Sequence, residues 1–121
     1  ANAIAAVVNG GVLRQATLIK GGNAQRPGVQ VLSPQTSHAM RQLMSLCVQH
    51  PQGTCSKARA PGYFVGGKTG TSDKRGETGG YAKNKRRSLF VGAFPIDQPR
   101  FVVFAMVDEP KPSKKSYGWA T

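Results

Sequence analysis

Acidic residues are nearly missing from this sequence: it has five Asp+Glu against 17 Lys+Arg, a formal net charge of +12. The carboxylates are Asp73, Glu77, Asp97, Asp108 and Glu109. So few acids disfavour glycosidase-like chemistry, which needs two carboxyl groups flanking one bond. Long apolar runs are missing too. None approaches the ~18–20 residues that cross a bilayer, so no spanning segment lies within these residues. No charged n-region precedes the apolar start, so no signal-peptide pattern opens the chain. Cysteine is limited to Cys47 and Cys55, eight apart, which is neither a zinc-ribbon nor a redox spacing. With His50 they give three candidate ligands and no evident fourth, so no metal site is expected. Two readings of the pair remain. Either Cys47 is a core residue and Cys55 a loop thiol, or the two are bonded in an oxidising compartment.

What is present suits one domain or part of one: 121 residues, 39% hydrophobic, with 15 Gly and 8 Pro. The chain opens without Met and inside a helical pattern, which we read as a fragment. Residues 1–8 read as the end of a helix that stops at Asn9-Gly10-Gly11. Residues 12–20 alternate as a short strand, and 30–32 offer a second. Ser33-Pro34 is the clearest helix start, a hydroxyl for the orphan N–H groups followed by a proline suited to the first position. Met40, Leu43, Met44, Cys47 and Val48 then form one apolar stripe, read as core packing, and His50-Pro51 ends the helix near Gln49. Residues 63–71 read as a strand, 72–87 as a polar loop and 88–94 as a strand. Residues 100–107 (RFVVFAMV) are almost wholly apolar, so they read as a strand buried on both faces. Short connections make these three strands an antiparallel meander.

Lys68 carries the sharpest chemical signal, with two incompatible readings. Gly62 to Thr69 satisfies the phosphate-loop pattern G-x-x-x-x-G-K-[ST], but that motif needs a strand before it and a helix after it. Neither flank reads that way. The alternative is Lys68-Thr69-Gly70-Thr71 within a strand, where K-T-G is one signature of penicillin-binding proteins and serine β-lactamases. The surrounding PGYFVGGKTGT and SLFVGAFPIDQPRFVVFAMVDEP, with NGGVL after one helix and VLSPQT before another, resemble the C-terminal half of class B penicillin-binding protein transpeptidase domains, most of all the cell-division enzymes. The resemblance runs over nearly the whole chain.

The resemblance implies an α+β fold, part of the penicillin-binding protein and serine β-lactamase-like architecture, with strands near 63–71, 88–94 and 100–107 packed with helices. It implies that residues 1–121 are the C-terminal part of one transpeptidase domain, incomplete at both ends. The implied activity is peptidoglycan D,D-transpeptidation through a Ser acyl-enzyme that β-lactams also form. Lys68 would supply a point charge for the terminal carboxylate of a D-Ala-D-Ala stem peptide and, as a catalytic residue, would help the serine of the family's S-x-N motif shuttle a proton. Thr69 and Thr71 would add hydroxyl hydrogen bonds, and Gly70 would leave room for a ligand backbone at an edge strand. The backbone N–H of Thr71 would form half of the oxyanion hole. No metal or organic cofactor is implied. Implied partners are stem peptides, β-lactams, divisome proteins and the membrane, through an N-terminal anchor outside this stretch. The implied location is the periplasmic face of the inner membrane.

The sequence departs from the family in one respect: neither S-x-x-K nor S-x-N occurs in it, and Thr17-Leu18-Ile19-Lys20 has the spacing with a Thr. The nucleophile therefore belongs outside this chain, and these residues alone are expected to be inactive. A basic nucleic-acid-binding protein is the alternative from another class, since 13 of the 17 cations follow Ser56, including Lys74, Arg75, Lys83, Lys85, Arg86 and Arg87. Only Tyr81 is interleaved there for base stacking. A β-lactamase or β-lactam sensor of the same fold is a third reading. His38 and His50 read as surface and helix-end residues, Asp108 and Glu109 as ion-pair partners, and Tyr117 and Trp119 as packing residues.

Overall fold

A computed structural model describes residues 1–18, 27–76 and 80–111. Ser33 and Pro34 start the longest helix as their chemistry requires. The Ser33 Oγ accepts from the Thr36 N–H at 3.0 Å, and α2 runs Pro34–Gln49. Helix α1, Asn2–Val8, ends at Asn9 with Gly10 and Gly11 at positive φ, 98° and 91°. Short strands β1 (Val12–Leu13) and β2 (Val29–Gln30) pair antiparallel. The strand expected over 12–20 thus ends at Leu13 within the described residues, and the one expected at 30–32 starts a residue earlier and stops at Gln30.

The two helices are joined through a polar residue. Ser37 is fully buried; its Oγ donates to the Val7 carbonyl at 2.6 Å and accepts from the Gly10 N–H at 3.0 Å. With both roles filled, the hydroxyl carries little burial penalty. It also turns α2, so that Ser37, Met44 and Val48 are the buried positions. Met40 and Leu43 of the expected stripe are 37% and 59% exposed, a correction to the apolar pattern. The core joins Val8 and Met44 to Ala93 and Ile96, with Ile4, Val7 and Val102 packed against it.

The main sheet is antiparallel in the order β3-β4-β5: Gly66–Arg75, Tyr81–Phe94 and Phe101–Asp108. Three adjacent strands are as expected, but their boundaries move: β3 starts at Gly66 and not at 63 and runs on to Arg75, β4 starts at Tyr81 and not at 88, and β5 is displaced by one residue. The stretch read as a polar loop, 72–87, largely continues the strands as a long hairpin, with Thr71 opposite Ser88, Ser72 opposite Arg87 and Asp73 opposite Arg86. Opposite charges directly across the pair stabilise polar strands. Arg86 Nε donates to Asp73 Oδ1 at 2.7 Å, and Arg87 Nε to Asp108 Oδ1 at 3.0 Å. Strand β5 also corrects its expectation. Among the described strands it is an edge of the sheet, and Phe101, Phe104 and Met106 are each more than half exposed.

Candidate functional site

Strand β3 carries Lys68-Thr69-Gly70-Thr71 along an edge of the sheet, because among the described residues only β4 pairs with it. In an antiparallel pair each residue turns its N–H and C=O to the same side, alternately toward and away from the partner. The odd-numbered residues here turn away. Gln49 Nε2 donates to the Val65 carbonyl at 2.9 Å, Cys55 Sγ lies 3.5 Å from the Gly67 oxygen, and Lys68 Nζ donates to the Thr69 carbonyl at 2.8 Å. Two residues on, the same alternation places the Thr71 N–H and C=O at the open edge.

Side chains alternate as well. Lys68 and Gly70 share a face with Val91 and Leu89, while Thr69 and Thr71 share the opposite face with Phe90 and Ser88. Lys68 is exposed, and its ammonium folds over the edge to the Thr69 carbonyl, where no carboxylate of the described residues meets it. Cation and hydroxyls therefore straddle one edge from its two sides. Thr69 also borders a cavity of about 220 Å³ with Cys55, Lys57 and Ser88.

The glycines have structural reasons that sequence reasoning did not find. A Cβ on Gly66 would sit 2.4 Å from Ile96, and one on Gly67 2.3 Å from Phe90 and 2.7 Å from the Val91 carbonyl. At Gly70 it would sit 2.8 Å from the end of the Leu89 side chain, a closer approach than usual but one that a flexible leucine can relieve. Lys68 lies mid-strand and not at a helix N-terminus, which removes the phosphate-loop reading. The cysteines are joined as a disulfide, with Cys55 1% exposed. That corrects the loop-thiol reading and takes both sulfurs away from any metal. Among the described residues no group of three metal-ligating side chains occurs.

Beyond the K-T-G segment, the basic residues Lys74, Arg75, Lys85, Arg86 and Arg87 lie on strands. Lys74 Nζ donates to Glu109 at 2.7 Å and to Asp108 at 3.0 Å. Glu109 and then Asp108, as hydrogen-bond acceptors, raise the Lys74 pKa. The hydrogen bond from Lys74 holds Asp108 and Glu109 below the usual carboxylate range, with Arg87 adding to the effect on Asp108. The two acids thus act as ion-pair partners, as expected. His38 is exposed and His50 caps α2. Tyr117 and Trp119 lie outside the described residues.

Residues 1–120 match the family model of the penicillin binding protein transpeptidase domain. A relative from Caulobacter vibrioides, named as probable peptidoglycan D,D-transpeptidase FtsI, is 38% identical over all of this chain, which covers 22% of that protein. The apo transpeptidase domain of Burkholderia pseudomallei penicillin-binding protein 3 superposes with a TM-score of 0.79 at 43% identity, over 90% of this chain and 33% of that one. Penicillin-binding protein 3 of Mycobacterium tuberculosis, complexed with aztreonam, gives 0.71 at 32% identity, over 90% and 28%. The chain thus spans about a fifth of the curated relative and about a third of the solved domain.

Proposed function

Because this chain belongs to the penicillin-binding protein transpeptidase family, we propose that it supplies the substrate-binding edge of a peptidoglycan D,D-transpeptidase, as the C-terminal part of one such domain. The observation that carries the reading is the exposed Lys68 ammonium on the open edge of β3, free of any carboxylate among the described residues. Such a cation is available to an incoming carboxylate. Lys68 holds the terminal carboxylate of a stem peptide ending in D-Ala-D-Ala, and the Thr69 and Thr71 hydroxyls hydrogen-bond it from the other face. The stem peptide adds to the edge as an extended strand.

A serine outside these residues attacks the penultimate D-Ala carbonyl, D-Ala leaves, and the amine of a neighbouring stem resolves the acyl-enzyme. The Thr71 N–H donates to the developing oxyanion, together with the N–H of the nucleophile. A donor of this kind contributes roughly 3–4 kcal/mol to transition-state stabilisation. β-Lactams are ligands of the same edge, in keeping with the aztreonam complex of the M. tuberculosis relative. The intact protein works at the periplasmic face of the inner membrane among division proteins, anchored by a segment beyond this chain. A disulfide between Cys47 and Cys55 suits that oxidising compartment.

Penicillin labelling of the intact protein tests the reading. Mass spectrometry is expected to find one penicilloyl adduct on a serine outside residues 1–121, and none on this chain alone. Absence of any adduct on the intact protein, or an adduct within these residues, overturns it.

A further inference from the structure

The edge of β3 is closed at its first end. Its outward carbonyls recur every two residues, about 6.7 Å apart. Those of Val65 and Gly67 are already met by this chain's own groups, Gln49 Nε2 and Cys55 Sγ. Cys55 is held there doubly: by the disulfide to Cys47 in the last turns of α2, and by its own N–H, which donates to the Cys47 carbonyl at 3.0 Å. Gly53 lets the connecting turn fold back, since a Cβ there would lie 2.2 Å from the Cys47 carbonyl oxygen. From Thr69 onward the edge changes character. The Thr69 carbonyl is met by the exposed, displaceable Lys68 ammonium. No side-chain hydrogen bond reaches the Thr71 backbone among the described residues.

We infer that the Cys47–Cys55 disulfide is an end-stop that sets the register of an extended peptide on β3, filling the edge at Gly67 so that backbone pairing starts at Thr69. The inference rests on the reading of β3 as the peptide-binding edge. A bare strand edge repeats the same N–H and C=O pattern every two residues, so by itself it does not distinguish one register from the next. A peptide slipped one step toward Gly67 still pairs its backbone. Its carboxylate then leaves the reach of Lys68, and its scissile carbonyl leaves the Thr71 N–H. The sulfur excludes that register by volume, and because it carries no proton it offers the peptide no donor of its own. Cys47 and Cys55 are therefore positioning residues.

The test is steady-state kinetics of the intact protein, oxidised and after reduction with a phosphine, with an acyl peptide ending in D-Ala-D-Ala and with benzylpenicillin. Opening the disulfide admits the unproductive register, so kcat and KM for the peptide are expected to fall together, several-fold, with kcat/KM within twofold. Acylation by penicillin, which is too short to choose a register, is expected to change less than twofold. Cys47→Ala/Cys55→Ala is expected to match the reduced protein and ignore the reductant. Cys47→Ala/Cys55→Leu, which refills the edge without the tether, is expected to bring both constants back. Unchanged peptide kcat and KM after reduction, with two free thiols confirmed, overturn the inference. So does a fall in kcat/KM shared by peptide and penicillin, which assigns the disulfide to holding the fold. Failure of the oxidised intact protein to react with penicillin overturns instead the transpeptidase reading, and the register claim with it.

Discussion

Lys68 and Thr69 are neighbours whose side chains leave opposite faces of β3, yet the ammonium of one reaches the carbonyl of the other across the edge. The K-T-G triplet was legible in the sequence because it is a local pattern with a distinctive surround. Its geometry was not, since which residues turn their amides outward is decided by pairing with β4, far along the chain. The glycines show the same limit. Gly70 invited an explanation from the ligand side, and the structure supplies Leu89. The close approaches predict an order of damage. Gly67→Ala meets a ring and a backbone carbonyl and is expected to cost about 1–3 kcal/mol, as overpacking does. Gly70→Ala meets the end of a mobile leucine and is expected to cost less. Urea unfolding of the intact domain measures both, and equal midpoints for the two variants would contradict the ranking.

At the scale of elements, the helix start at Ser33-Pro34 was readable because capping is settled within four residues. Ser33→Ala is expected to lower stability by about 1 kcal/mol, seen as a lower urea midpoint with an unchanged slope. The apolar stripe misled because a buried hydroxyl with two partners, Ser37, takes a place that hydrophobicity alone gives to Met40 or Leu43. The hairpin misled because alternating charges look like a loop until their partners across the strands are known.

Those charges give the hairpin a pH dependence with a definite sign. Asp108 and Glu109 are lowered in the folded state by the hydrogen bond from Lys74, so their stabilisation is present above the ordinary carboxylate range and disappears as pH falls through the lowered values. Lys74 is raised by the same acids, so its share is present below the ordinary lysine value and is lost as pH climbs through the raised one. Hydrogen exchange of the hairpin amides, corrected for intrinsic pH effects, is expected to speed up at both extremes. Asp108→Asn is expected to flatten the acid limb. High salt is expected to weaken the dependence, because Lys74, Asp108 and Glu109 all lie near the surface.

The molecule as a whole has a core assembled from α1, α2, β4 and the turn at Ile96, with β5 outermost among the described strands. Reading residues 100–107 as doubly buried followed from their composition. An apolar run records what a strand is able to bury, and the fold determines what covers it. With Phe101, Phe104 and Met106 more than half exposed, these 121 residues alone are expected to bind a hydrophobic dye and to self-associate, whereas the intact domain does neither. The disulfide offsets part of that weakness. Closing its short loop is worth about 2–3 kcal/mol in the chain-entropy model, so reduction is expected to lower the melting temperature by several degrees. Both cysteines were visible in the sequence, but their pairing depends on α2 bringing Cys47 back beside the strand that follows Cys55.

The central claim is that Lys68 holds the anionic end of the ligand on the open edge of β3. The second-order rate constant for acylation of the intact protein by benzylpenicillin, compared with that of Lys68→Ala, tests it most directly. Loss of one charge-assisted hydrogen bond, about 1.5–3 kcal/mol, predicts a rate lower by roughly 10- to 100-fold at an unchanged melting temperature. A variant that is acylated as fast as the parent would contradict the account.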